Sequence, residues 1–241
     1  MITISPQTTV GELVRQRPAR SRVFEQFKID YCCGGKTPLV EACDAKGLDT
    51  DEVLRQLLLV GHAGTSEMDP DTLGLTELAD HIEATHHAEL REELPRLEFM
   101  TRKVAAVHSE NDPRLNEIRD IFAACKEELE SHMLKEDQVL FPAIRRLEAG
   151  GASSDLPAGT LANMVRMMEH EHDSAGDALE LLHELTNGYT PPDWACNTYR
   201  AMLDGLAAFE RDMHVHVHKE NNILFPKAIE LEASRQPNGA A

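Results

Sequence analysis

The 241-residue chain sets 24 Lys+Arg against 42 Asp+Glu, a formal net charge of −18, a field that repels polyphosphate and anionic lipid and so excludes nucleic acid and membrane surfaces as first partners. At roughly 150 residues per domain the length suits one large domain, or a medium one with a small companion, and either can bury a core. Hydrophobic content of 41% with only 5% aromatic residues suits helices filled with Leu, Ala and Met and predicts an all-α fold.

In chain order, residues 1–60 hold short helix-like pieces at TVGELVRQRP, SRVFEQFKID and DTDEVLRQLLLVG, broken by Pro18, the YCCGGKTP turn and Gly47, and read as a small helical module. Residues 61–74, GHAGTSEMDPDTLG, lose helical periodicity and read as a linker. From Thr76 four long amphipathic segments follow, separated by turn formers at NDPR, GGASSDLPAG and NGYTPP. They predict an up-down four-helix bundle over 75–233, with a disordered tail at 234–241. Segments of roughly 25 to 40 residues would run about 40–60 Å, and Pro95 is expected to kink or divide the first. The N-terminus MITISPQTTVGEL lacks the basic and apolar regions of a signal sequence, and no apolar run approaches about 18 residues, so the expectation is a soluble, cytoplasmic protein. Five cysteines (Cys32, Cys33, Cys43, Cys125, Cys196) at irregular spacing point to a reducing compartment.

An internal repeat is the most informative feature. SHMLKEDQVLFPAI (131–144) and VHVHKENNILFPKA (215–228) share His132/His216, Lys135/Lys219, Glu136/Glu220, Leu140/Leu224, Phe141/Phe225 and Pro142/Pro226, displaced by 84 residues. His87 and His172 carry a companion repeat displaced by 85. Positions i and i+4 share one face of a helix, so each H-x-x-x-E presents an imidazole and a carboxylate to one point. Apolar residues recur at helical offsets around His132, His172 and His216, which turns these groups toward the core. Buried His and Glu are costly unless they share a partner, and a metal ion is that partner. Imidazole and carboxylate without thiolate suit Fe, Mn or Zn. Two glutamates from different helices can bridge two ions, and four terminal imidazoles leave open positions, the makings of a redox-capable di-iron site. Periodicity alone does not choose between His86 and His87. A rival set, Glu83-x-x-His86 and Glu169-x-x-His172 with Glu136 and Glu220, imitates the ferritin-like pattern but leaves His132 and His216 without a role. His62, His81, His108, His170, His183, His214 and His218 read as solvated or half-buried, with His214 and His218 a weak zinc pair at i, i+4.

The chain resembles the hemerythrin-like bundles, and more closely the iron-sulfur cluster repair di-iron proteins, also called repair of iron centres proteins. The resemblance covers nearly the whole chain and rests on DYCCGGK (30–36), His87 with Leu94-Pro95, SHM-x-KE-x-x-x-LFP, EHD with His172, and H-x-x-x-EN-N-x-LFP. It implies metal ligands at His87, His132, His172 and His216 with bridging carboxylates at Glu136 and Glu220, and two non-haem iron ions, oxo-bridged when oxidised. Oxygen-carrying hemerythrins fit less well: they usually have a second His four residues after the third-helix His, where this chain has Gly176, and H-x-x-x-x-D in the last helix, where it has H-x-x-x-E. The implied role is protection or repair of iron-sulfur proteins under nitrosative or oxidative stress, through nitric oxide binding and reduction, through iron donation, or both. Damaged iron-sulfur proteins would be the clients, nitric oxide or oxygen the small ligand, and a homodimer paired through the N-terminal module a further expectation. The alternative is a hemerythrin-like oxygen or redox sensor or carrier.

Cys32 and Cys33 are the remaining candidates for chemistry. The glycines after them are expected to let amide N–H groups approach a thiolate and lower its pKa, for a redox, nitrosation-accepting or iron-handing role. Cys43, Cys125 and Cys196 are assigned to packing.

Overall fold

The computed structural model describes residues 4–60, 70–151 and 159–235. Most of the expected linker (61–69, with His62), residues 152–158 of the connection after Gly150, and the tail beyond 235 lie outside the described residues. Helix dominates, no strand forms among the described residues, and one isolated antiparallel bridge joins Thr9 to Pro38. None of the described helices is long and apolar enough to cross a membrane. The chain divides into two compact units, Met1–Leu78 with His214–Ala241, and Ala79–Met213.

In the first unit, α1 (Val10–Gln16) begins where the Thr9 side chain accepts from the Glu12 amide, an N-cap that satisfies one of the first-turn donors. Pro18 opens a single 3₁₀ turn before α2 (Ser21–Gln26). The helix α3 (Leu39–Ala45) follows Pro38, and α4 (Thr50–Leu59) is capped by Asp49. Their apolar faces close on Leu13, Phe24, Leu39, Val53 and Leu57, all fully buried. Arg20 is buried with them and donates from Nη1 to the Leu13 carbonyl at 3.0 Å.

In the second unit, α5 (Leu75–Ile82, shared with the first) runs into α6 (Ala88–His108), which packs on α7 (Arg114–Lys135). After α8 (Phe141–Glu148) comes α9 (Leu161–Leu185), which also packs on α7. The first part of α10 (Asn197–Lys219) completes the unit and continues toward α11 (Phe225–Arg235). Gly205 lets α10 approach α6 closely, since a Cβ there would lie 2.7 Å from Leu97 Cδ2. Phe122 and Phe209 meet edge to face at 5.7 Å.

Two local features mark these helices. Of the two effects expected of Pro95, division does not occur: α6 is continuous from Ala88 to His108. Leu94 and Leu97 beside it are fully buried while Pro95 is exposed, so the carbonyl that its missing N–H leaves unbonded faces solvent. The second feature, which departs from the expected helices, is a π-turn, one extra residue in the helical ladder, at Glu83–His87, at Glu136–Leu140 and at Glu220–Leu224. Phe141 and Phe225 each donate to a carbonyl five residues back, on Glu136 and Glu220. Pro142 and Pro226 come next and have no N–H to contribute to the ladder, so the helix resumes past a register already broken.

Phe122→Ala removes a fully buried ring between α7 and α10 and is expected to lower unfolding free energy by about 3–5 kcal/mol, read from denaturant unfolding of the metal-free protein.

Candidate metal centre

The π-turns place the repeated residues. In the second unit, Glu136 opens its π-turn one helical turn after His132, and its Oε2 lies 3.2 Å from His132 Nε2. His87, the last residue of the Glu83–His87 turn, brings Nε2 to 3.3 Å from the same oxygen. From α9, His172 Nε2 stands 3.0 Å from His132 Nε2. His87 and Glu136 are fully buried, and His132 and His172 are 2% and 1% exposed.

The outer nitrogens decide what the inner ones can do. His87 Nδ1 is 2.8 Å from Asp137 Oδ1, and Arg91 pairs with the same carboxylate. His132 Nδ1 is 2.9 Å from Glu171 Oε2, and Lys135 pairs with that carboxylate. An ionised carboxylate only accepts, so each Nδ1 carries the proton and each Nε2 turns a lone pair inward. Burial pushes the Asp137 carboxyl up, but the His87 hydrogen bond and the Arg91 guanidinium outweigh it and hold it below its usual range. At Glu171 the His132 hydrogen bond, helped by Lys135, overcomes burial and holds the carboxyl down to about 2. Imidazole lone pairs and a carboxylate that converge away from water repel one another unless they share a cation. The donor set, nitrogen and oxygen without sulfur, fits a borderline divalent ion such as Fe, Mn or Zn.

The first unit holds the repeat's other half. His216 Nε2 lies 2.9 Å from Glu220 Oε1, both residues are fully buried, and Glu220 opens its own π-turn as Glu136 does.

Of the adjacent pair, His87 reaches Glu136, whereas His86 turns its Nδ1 to Asp212 Oδ1 at 2.7 Å. Of the rival set, Glu83 is engaged instead by Arg145 Nη2 at 2.7 Å, while His172 sits against His132. His218, expected to be solvated or half-buried, is buried against the N-terminal module, with Nδ1 3.4 Å from the Tyr31 carbonyl; burial lowers its pKa to about 4. Cys196 was expected in packing and is exposed instead, its Sγ 3.2 Å from His108 Nε2. Cys43 and Cys125 are buried, and burial raises the Cys125 thiol to about 12.

The Cys32-Cys33 turn is built differently from the amide-stabilised thiolate expected there. The Asp30 carboxylate takes the amides: Oδ1 accepts from the N–H of Cys32 at 2.9 Å and of Cys33 at 3.0 Å, and Oδ2 from Gly34 at 2.7 Å. The Cys32 thiol donates to the same Oδ1 at 3.1 Å. Its hydrogen bond with Cys33, then burial, then the Asp30 charge push the Cys32 thiol well up, so in this arrangement it is held protonated.

Loss of the outer carboxylate in Glu171→Ala is expected to weaken divalent-metal binding about 10–100-fold, measured by competition with a chelator. Brief alkylation of the native protein near neutral pH should label Cys196 well before Cys125, read by peptide mass spectrometry.

Two family models match the chain: "Hemerythrin HHE cation binding domain" over residues 78–228 and "Domain of Unknown function (DUF542)" over 6–60. The protein of Pectobacterium atrosepticum named Iron-sulfur cluster repair protein YtfE is 37% identical over 224 residues, which cover 93% of this chain and 97% of that one. Its namesake from Yersinia pseudotuberculosis is 38% identical over the same share of both chains. The chain therefore belongs to the hemerythrin HHE family and, within it, to the family of proteins named iron-sulfur cluster repair protein.

Proposed function

We propose that the chain is a di-iron protein that restores iron-sulfur clusters damaged by nitrosative or oxidative stress. His87, His132, Glu136, His172, His216 and Glu220 would hold two non-haem iron ions. The reading is carried by one observation: inward Nε2 atoms of His87 and His132, each fixed from behind by a carboxylate, meet at fully buried Glu136. The six-identity repeat supports assigning the same task to His216 and Glu220, which form the same i, i+4 pair at the start of the same π-turn. The cation-binding family match spans all six residues, and the relatives' name supplies the iron-sulfur context.

This chain's residues do three things in such a reaction. Asp137 and Glu171 hold the Nδ1 protons, so the imidazoles offer Nε2 in one tautomer. The apolar residues around the site, among them Phe141 stacked on His87 at 5.6 Å, keep bulk water away. Imidazole-rich, carboxylate-poor ligation leaves positions for a small molecule. When bound, two ferrous ions supply the two electrons that turn two nitric oxide molecules and two protons into nitrous oxide and water; iron transfer to a damaged cluster is the second route that open ligation supports. Cys32 and Cys33 are the candidate thiols for a redox or iron-handing step, and cytoplasmic iron-sulfur proteins the candidate clients.

The test is iron per chain after anaerobic purification, with the visible spectrum of the air-oxidised protein and nitrous oxide release on adding nitric oxide. About two irons are expected, and Glu136→Ala or Glu220→Ala should each lower that content, because an ion loses a ligand. Unchanged iron in both variants overturns the ligand assignment. Full iron with no nitrous oxide removes nitric oxide reduction and leaves iron donation and the sensor or carrier reading, which iron transfer to a damaged iron-sulfur protein then separates.

A further inference from the structure

The second glycine of the Cys-Cys-Gly-Gly turn has a purpose that thiol chemistry does not explain. A Cβ on Gly35 would stand 2.2 Å from Asn222 Oδ1, and a Cβ on Gly11, in α1, would stand 2.6 Å from the same atom. The two glycines are joined by the Gly11 N–H donating to the Gly35 carbonyl at 2.9 Å. Together they form a slot that admits the Asn222 carboxamide and no larger wall. Within it, Asn222 Nδ2 donates to the Cys32 carbonyl at 2.9 Å and approaches the Tyr31 carbonyl at 3.4 Å. The His218 ring lies alongside, its Nδ1 3.3 Å from Asn222 Nδ2. Asn222 belongs to the π-turn Glu220–Leu224, two residues after Glu220, and α1 packs on that turn.

We propose that Asn222 is a positioning residue that pins the Glu220 π-turn to the Cys32–Gly35 turn, so that the N-terminal module sets how fast Glu220 can let go of a metal ion. The inference rests on Glu220 being a ligand. A π-turn is the weakest stretch of a helical ladder, and a carboxylate ligand leaves a metal by moving its backbone or rotating its side chain. Holding the backbone two residues away slows the first of these motions. In the repeat's other half the corresponding residue is Gln138, which is exposed. The module thus acts on one of two otherwise similar turns, and a change in the Cys32 turn has a direct route, through the Cys32 carbonyl, to the Glu220 side alone.

The experiment loads the full-length protein with ferrous iron anaerobically and follows its release to a colorimetric ferrous chelator, with Asn222→Ala, Gly35→Ala and Gln138→Ala beside the wild type. Asn222→Ala removes the key and Gly35→Ala blocks the slot from the opposite side, so one variant remains if the other does not fold. Both are expected to bind the wild-type amount of iron and release it roughly tenfold faster, the ratio that loss of one half-buried hydrogen bond supports. Gln138→Ala should release at the wild-type rate. In metal-free protein, amide hydrogen exchange across 220–224 should quicken in both slot variants and stay unchanged in Gln138→Ala. Normal uptake with wild-type release in Asn222→Ala and Gly35→Ala overturns the inference and leaves the ligand assignment standing. No uptake by the wild type overturns both.

Discussion

A carboxylate with no exposure to water, ringed by imidazole nitrogens, is the constraint to which the Ala79–Met213 unit is built. Left to itself, such a set would protonate or expand to admit solvent. The chain instead commits further charge to it: Asp137 and Glu171 behind the rings, then Arg91 and Lys135 behind the carboxylates. The order from the outside in is cation, anion, imidazole, carboxylate. Each layer fixes the protonation of the next, and the inner surface is left rich in electron pairs. A divalent cation fits such a surface.

The helices reach that arrangement by a local irregularity. In a regular α-helix, His132 and Glu136 share a face, but residues after Glu136 would continue the same register and crowd it with Leu140 and Phe141. The π-turn adds a residue where the His132–Glu136 pair ends, so the apolar stripe resumes on α8 with Phe141, Ile144 and Leu147 buried. The same device follows Glu220, where Phe225 and Ala228 take up burial on α11. At the first helix the order is reversed: the irregularity comes first and ends on His87 itself. His172 needs no such break, since it lies on the apolar face of the unbroken α9 between Met168 and Ala175; the irregular turns serve the three helices in which the candidate site ends one apolar stripe and begins another.

The all-helical class and the inward His132, Glu136, His172, His216 and Glu220 were legible because both follow from short-range rules, amphipathic spacing and the i, i+4 face, and because the repeat supplied a second copy; His87 over His86 came from the family resemblance, since both share the same apolar neighbours along the helix. Four things were not. The π-turns escape a reading based on period, since an extra residue costs a helical pattern almost nothing; the available signal was Phe-Pro following His-x-x-x-Glu twice in one chain. Asp137 and Glu171 belong to no repeated pair, and only their position beside a candidate ligand, Asp137 directly after Glu136 and Glu171 directly before His172, hints at a role. Asp30 was missed because its effect is on backbone amides: it takes the N–H groups that the glycines were expected to offer to a thiolate. Cys196 and His218 were misplaced for a simpler reason, that their surroundings are made by residues far away in sequence.

The extra residue in Glu136–Leu140 also gives this stretch an unusual tolerance of frame. Removing one residue inside the turn would let the Phe141 N–H keep its bond to the Glu136 carbonyl, now four residues back instead of five, so Phe141, Ile144 and Leu147 would hold their buried places. The same deletion in the regular part of α7 would rotate everything beyond it by about 100°. The turn is thus a reserve of one residue, stored where the helix can lose it without turning its apolar face.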